Sequence, residues 1–196
     1  MPDLDFQSEI ILEDERALLR PLQATDFSEL SKVAYLDYNI LQYSPRSIHT
    51  PEMLRDYIDS ALLQRKEHFR YPFIVFDKHS QNFAGSTSFV NVSNFDKRLE
   101  IGYTWYAKEF QRTGLNRHCK WLLINYAFET LGFERVEFRT DERNNQSRTA
   151  IQKLGAKQEG ILRSHTVMSD GFRRNTVCFS ILKDEWQQIR QSFPLD

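Results

Sequence analysis

Residues 99–132 read LEIGYTWYAKEFQRTGLNRHCKWLLINYAFETLG. A strand pattern runs to Tyr106 and hands over, through a short polar connection, to an amphipathic helical pattern. In the helix Trp121, Ile124, Phe128 and Leu131 recur at 3-4-3 spacing, and Gly132 takes the place just past its end. The connection is Gln111-Arg112-Thr113-Gly114-Leu115-Asn116. A helix N-terminus carries unpaired amides and the positive end of its dipole, so it is a ready anion site. Gly114 lets backbone approach a phosphate closely, and Arg112, Arg117 and Lys120 add positive charge beside the mouth. Neither GxxxxGK[ST] nor GxGxxG is present. Taken alone, the six residues fit a solvated strand-to-helix turn better than a phosphate cradle, and the rest of the chain has to decide.

Upstream, SEIILEDERALLRPL holds two apolar runs split by a charged turn, the pattern of a β-hairpin. ATDFSELSKVAYL follows as a helix with Thr25 or Asp26 as cap and Phe27, Leu30, Val33 and Ala34 on one face. TPEMLRDYIDSALLQRKEHF is a second helix, with Thr50 as N-cap, Pro51 in the first turn and Leu54, Ile58, Ala61 and Leu62 inward. The segment NILQYSPRSIH between them is irregular and a candidate cleft wall. YPFIVFDK, NFAGSTSFVNV and KRLEIGYTWYA are three strands of an antiparallel meander.

Downstream, ERVEFRTD is a strand and NNQSRTAIQKLG a short helix closed by Gly155. Two strands joined by the turn Ser169-Asp170-Gly171 follow, then a last helix over KDEWQQIRQSF. The order β-β-α-α-β-β-β-α-β-α-β-β describes a single mixed α/β layer structure, and 196 residues suit one domain over 1–196.

Hydrophobic residues make up 40% and aromatics 13% of the chain, so it folds rather than remaining disordered. A net charge of −1 supplies no global field for nucleic acid or a membrane surface. The start, MPDLDFQSEI, has no basic and apolar leader pattern, and no apolar run reaches the length of a membrane span. Cys119 and Cys178 form no CxxC unit and read as reduced thiols of a cytoplasmic protein. The five histidines show no metal-ligand spacing, so no metal site is expected.

The combination of EIGYTWY, QRTGLN with its helix, and RNNQSRTAIQKLG resembles the GNAT superfamily of acyl-CoA-dependent N-acetyltransferases. Within it the chain is most similar to the RimJ/RimL-type branch of ribosomal-protein N-terminal acetyltransferases. The resemblance covers residues 10–183 and is densest from Leu99 to Arg163. Gln111 and Gly114 match the coenzyme-loop pattern [QR]-x-x-[GA]-x-[GA], while Asn116 stands at its last small position, as the branch often allows. The resemblance implies a GNAT fold: a central, mixed but mostly antiparallel twisted sheet with a splayed strand pair and helices on both faces. It also implies acetyl-CoA as co-substrate, held at its pyrophosphate by the backbone of Arg112, Thr113, Gly114, Leu115, Asn116 and Arg117. The strand backbone at Tyr103, Thr104 and Trp105 would take the pantetheine arm, because splayed strands leave groups that a ligand can satisfy.

In that family Asn144 touches pantetheine and Ser147 faces the thioester sulfur, although Asn144 equally suits a helix N-cap. Ser147 shares a helical face with Ala150, Ile151 and Leu154, so it is expected to point inward and need a partner. Ile151 stands where many members carry a tyrosine acid, which leaves Ser147 or a water to protonate the leaving thiolate. Glu100 is the candidate base, since attack on a thioester needs a neutral amine; the alternative is pairing with Lys97 or Arg98. Asn175 replaces a branch aspartate, and His165 is a weaker candidate on a strand. The expected activity is direct acetyl transfer in a ternary complex to a primary amine. The acceptor is a protein N-terminus or a small amine, and a non-catalytic acyl-CoA sensor is the other reading. Neither nucleic acid nor membrane is an expected partner, and the branch admits a homodimer through the final strands.

Overall fold

The computed structural model describes residues 2–193 and 195. Eight strands make one sheet: β1 (Leu12–Glu13), β2 (Ala17–Pro21), β3 (Arg70–Asp77), β4 (Asn82–Ser93), β5 (Arg98–Tyr106), β6 (Arg135–Asp141), β7 (Lys157–Val167) and β8 (Arg173–Leu182). Their order across the sheet is β1-β2-β3-β4-β5-β6-β8-β7. Every neighbouring pair is antiparallel except β5 and β6. Five helices complete the fold: α1 (Phe27–Ala34), α2 (Pro51–Lys66), α3 (Leu115–Asn125), α4 (Asn145–Lys153) and α5 (Lys183–Gln191). The mixed α/β class, the hairpin, the meander and the element order are as the sequence pattern implies.

Alternation along β4 shows which helix covers which face. The hydroxyls of Ser86 and Ser88 bond to Tyr57 of α2 and to Arg70, whereas Thr87 between them meets Thr104, which bonds to Lys120 of α3. Successive strand side chains point to opposite faces, so α2 and α3 lie on opposite sides of the sheet. The helix starts follow local chemistry. Thr50 Oγ1 accepts the Met53 amide at 3.2 Å with Pro51 in the first turn, and Asp26, at the N-cap of α1, is held by Arg20 at 2.6 Å.

Three of the four residues of the 3-4-3 stripe, Ile124, Phe128 and Leu131, are buried. Trp121 is half-buried, and Leu115, Cys119, Leu122 and Leu123 join Ile124 on the inward face of α3. After Asn125 the chain widens into a π turn over Tyr126–Thr130, closed by the Leu131 amide on the Tyr126 carbonyl. The wider turn shifts the phase and keeps Phe128 and Leu131 buried.

Two irregularities in the meander place the site. At Gly85, β4 comes so close to β5 that an added Cβ would lie 2.1 Å from the Trp105 carbonyl oxygen, and only glycine fits. Between Ser86 and Ser88 the register slips: these residues pair with Trp105 and Gly102, so Thr87 alone opposes Tyr103 and Thr104. That is a β-bulge, and Tyr103 takes φ 51° within it. Beyond it β5 has no partner on its other side among the described residues. Its parallel pairing with β6 is confined to Arg98–Glu100 against Arg135–Glu137. The two strands are therefore splayed from Ile101 onward.

Lys120 departs from the sequence reading. It is buried, and its ammonium donates to Thr104 Oγ1 at 2.8 Å rather than standing at the loop mouth. Burial brings its pKa down to about 8. An unfolded chain keeps that proton to about pH 10.5, so between roughly pH 8 and 10.5 unfolding takes up a proton and stability rises with pH. Lys120→Met is expected to stabilise the protein at pH 7 by about 1–3 kcal/mol, with a smaller gain at pH 10. Urea denaturation at the two pH values checks this.

Candidate active site

The connection after β5 is folded by its own side chains. Gln111 Nε2 donates to the Tyr106 carbonyl at 3.0 Å, and Thr113 Oγ1 donates to the Phe110 carbonyl at 2.9 Å. Arg112 (φ 63°) and Gly114 (φ 92°) are left-handed, and Gly114 is the N-cap of α3 without a side-chain cap. The amides of Arg112, Thr113, Gly114 and Asn116 have no acceptor among the described residues. Four free N–H groups at a helix start form an anion-binding concavity. Arg112 is exposed and Arg117 half-buried beside it; the Arg117 guanidinium lies 3.6 Å from the Cβ position of Gly114. Leu115 is fully buried, so its side chain anchors the helix and only its backbone is left for a ligand. Asn116 does not cap α3, because the helix starts from Gly114.

The splayed edge of β5 continues from this concavity. Tyr103 is 43% exposed and Trp105 is buried, with its indole N–H lacking an acceptor among the described residues. Thr104 turns its hydroxyl into the α3 side of the sheet. The bulge breaks the regular side-chain alternation of β5 after Gly102. An open strand edge leading to a pocket of free amides suits an arm of amide groups ending in a pyrophosphate, so the residues present fit a coenzyme A moiety.

Glu100 lies on β5 just before the splay and is 8% exposed. Neither Lys97 nor Arg98 is its partner: Lys97 pairs with Asp3 at 2.8 Å and Arg98 approaches Asp96 at 3.6 Å. Asn91, displaced by a second irregularity of β4, instead donates to Glu100 Oε2 at 2.7 Å, and Arg139 Nε of β6 stands 3.4 Å away. The Arg139 contact is an ion pair without an aligned hydrogen bond, since that N–H meets no acceptor. Burial raises the Glu100 pKa above its ordinary 4.5, against the opposing pull of Arg139 and of the Asn91 bond. A desolvated carboxylate with raised proton affinity, beside a cleft, is suited to proton abstraction.

Asn144 does cap α4, accepting the Ser147 amide at 3.0 Å. Ser147 is half-buried rather than inward, and its hydroxyl has no partner among the described residues. The inward stripe of α4 begins at Ile151, buried with Leu154, so the serine sits at the stripe's open end. His165 lies on the exposed β7, its Nδ1 3.1 Å from Thr176 Oγ1, away from any coenzyme-side contact. Asn175 donates to Glu142 Oε2 and accepts the Ser164 amide, both at 2.8 Å.

The irregular segment after α1 and the β7–β8 turn meet, as a shared cleft wall requires. Arg174 donates to the Tyr43 carbonyl at 2.9 Å, and Arg143 stacks on Phe172 at 4.0 Å and bonds to Asp141 at 2.7 Å. An open recess of about 420 Å³, lined by His68, Phe69, Asn91, Val92, Arg98 and Arg139, reaches both partners of Glu100. Asn91, Arg139 and Arg174 were not singled out from sequence. Period-two spacing of Arg135, Glu137 and Arg139 marks the third of these on the Glu100 face, whereas Asn91 depends on a β-bulge that leaves no sequence signal. Away from this cleft, Asp14, Glu15 and His118 come together, with His118 Nδ1 2.8 Å from Asp14 Oδ2. Asp14 also accepts the Arg16 and Ala17 amides, so the group ties the hairpin to α3.

The profile of the acetyltransferase (GNAT) domain family matches residues 16–157. A Bacillus subtilis (strain 168) protein described as "Putative ribosomal N-acetyltransferase YdaF" is 34% identical over 106 residues, 54% of this chain and 57% of that one. The chain thus matches little more than half the length of that relative, and 63% of a second, from Bacillus licheniformis. A GCN5-related N-acetyltransferase from Brucella melitensis superposes with a TM-score of 0.88 at 26% identity, covering 96% of this chain and 86% of its own. A ribosomal-protein-S5-alanine acetyltransferase from Vibrio fischeri gives 0.71 at 21% identity over 90% of this chain and 98% of its own, a likeness of fold. With the family profile spanning most of the chain and the splayed strand pair and free-amide loop in place, the protein belongs to the acetyltransferase (GNAT) domain family.

Proposed function

We propose that this chain, as one domain, transfers the acetyl group of acetyl-CoA to a primary amine by direct attack in a ternary complex. The observation that carries the reading is the continuity of three features on one strand. Glu100 is a buried carboxylate, the β5 edge beyond it lacks a partner, and that edge leads into the free amides of Arg112, Thr113, Gly114 and Asn116. Acetyl-CoA supplies an activated acetyl thioester. The loop amides with Arg112 and Arg117 hold its pyrophosphate, and the backbone of Tyr103, Thr104 and Trp105 holds the arm. The same strand's amides serve as oxyanion donors. Glu100 takes the proton of the acceptor amine, directly or through water, and Ser147 or a water returns one to the departing thiol. Asn144 sets the start of α4 and so the place of Ser147.

The acceptor class we assign is an exposed amine of a protein or peptide N-terminus, because the recess beside Glu100 is open rather than enclosed. The curated Bacillus subtilis relative carries a ribosomal N-acetyltransferase description, which agrees with that assignment. Two free cysteines suit the reducing cytoplasm, where acetyl-CoA is available. The edge strand β7, with Ile161, Leu162 and Val167 exposed, is the surface by which we expect any self-association.

Calorimetric titration with acetyl-CoA is expected to show one site per chain. Incubation with acetyl-CoA and peptide amines is expected to release free CoA. Absence of acetyl-CoA binding ends the proposal, and binding without CoA release with any amine supports the sensor reading instead.

A further inference from the structure

Arg70, the first residue of β3, is 2% exposed and has no carboxylate within ion-pair distance among the described residues. Its partners are neutral. Nε donates to Ser88 Oγ at 2.7 Å and Nη2 to the Tyr57 hydroxyl at 2.6 Å. The Tyr57 hydroxyl donates to Ser86 Oγ, which donates to the Phe73 carbonyl, so the tyrosine oxygen is left as an acceptor for the guanidinium and helps hold it in place. Nη1 has no acceptor among the described residues, and it is not sealed from solvent. Tyr57 and Tyr103 flank the charge at 4.8 and 4.1 Å. Burying an ionised group without a counter-charge is costly, and neutral hydroxyls offset only part of that cost.

The position of Arg70 connects it to the proposed chemistry. Register across the meander pairs Arg70 with Val90 and Val90 with Glu100, so Arg70 and Glu100 share a sheet face two strands apart, about 10 Å between backbones. The recess beside Glu100 is lined by Phe69, next to Arg70 in the chain. Arg174 lies on the other side of Glu100 and is likewise without a carboxylate partner: it bonds to the Tyr43 carbonyl and Thr176 Oγ1. The two arginines lining the recess are already matched, Arg139 by Glu137 and Glu100 and Arg98 by Asp96, and Arg143 nearby is matched by Asp141. Glu100 makes its ion pair with Arg139, whereas the hydrogen bonds of Arg70 go to Ser88 and Tyr57.

We propose that Arg70, assisted by Arg174, reads a carboxylate carried by the acceptor close to its reactive amine. This inference rests on the acetyl-transfer reading of the same cleft. A forked guanidinium that is preorganised by Tyr57 and Ser88 suits a carboxylate better than a second neutral partner does. The side chain of an acidic residue at a peptide N-terminus is the source that agrees with the acceptor class assigned above, and the α-carboxyl of a free amino acid is the source the experiment separates from it; both put a carboxylate a few bonds from the amine.

Binding is measured by calorimetry in the presence of CoA, for two matched pairs: glycine against glycinamide, and Asp-Ala-Ala-amide against Asn-Ala-Ala-amide. The carboxylate member of at least one pair is expected to bind 10-fold or more tightly, and the pair that discriminates identifies the source of the carboxylate. Arg70→Met is expected to bring that member down to the affinity of its amide partner, and Arg70→Lys to restore part of the difference. No preference in either pair with the wild-type protein overturns the inference, as does a preference that survives in folded Arg70→Met. The wild-type comparison decides the matter even if the variant fails to fold. Carboxylate-selective binding without any CoA release from acetyl-CoA supports this site while ending the transferase reading. CoA release with equal use of both members does the reverse.

Discussion

Gly114→Glu is expected to weaken acetyl-CoA binding by at least about 100-fold, to the limit of calorimetric detection. Gly114 adopts φ 92°, a conformation that L side chains rarely take, and it caps α3 with its backbone alone. Its missing Cβ would meet only the Arg117 guanidinium, at 3.6 Å, so a side chain there projects into the mouth formed by the free amides rather than into the core. A glutamate at that place puts negative charge where the pyrophosphate binds and draws off the arginine that would neutralise it. Gly114→Ala separates the terms. It carries the backbone strain, on the order of 1–2 kcal/mol, without the charge, and is expected to lose stability more than affinity. If Gly114→Glu binds acetyl-CoA as the native chain does, the loop is a plain turn and the coenzyme reading fails with it.

How much of this was legible in advance differs from element to element. The hairpin, the meander and the caps at Thr50 and Asn144 follow from short-range rules, because alternation and capping act within a few residues. The loop's place was also readable, since Gly114 marks a close backbone approach, whereas the hold of Gln111 on the strand end and the left-handed Arg112 emerge only in the folded chain. Side-chain direction inside the site was harder. Lys120 looks like a mouth residue on a helical wheel, yet it is drawn inward because Thr104 leaves the strand alternation at a bulge that no local signal announces. The same bulge exposes Tyr103 and sets it against Arg70, a pairing between residues 33 positions apart that only the assembled register reveals. Glu100 stood out as a carboxylate on the right strand, but its partners Asn91 and Arg139 come from two other strands. Long-range pairing, more than composition, makes a site of them.

For Glu100→Gln the expected result has two parts that move in opposite directions. Removing a general base costs about 10²–10⁴-fold in rate, so kcat/KM for a peptide amine is expected to fall by that factor. In the native chain kcat/KM should rise with pH through the ionisation of Glu100, above the ordinary carboxylate value of 4.5, and this acidic limb should vanish in the variant. Stability should change the other way. The folded-state pKa is raised, so the contribution of Glu100 is fully present below the ordinary carboxylate pKa. It is lost as pH rises through the folded value, where a buried charge must be carried. A neutral glutamine avoids that charge and can still accept from Asn91, so the variant is expected to melt higher than wild type at pH 7–8 and to lose that advantage near pH 4. A carboxylate kept only for structure would show the reverse, with stability falling on its removal and rate following stability. Urea denaturation at both pH values, beside the pH profile of kcat/KM, separates the two cases. A variant that is both less stable and still shows the acidic limb would remove Glu100 from the chemistry.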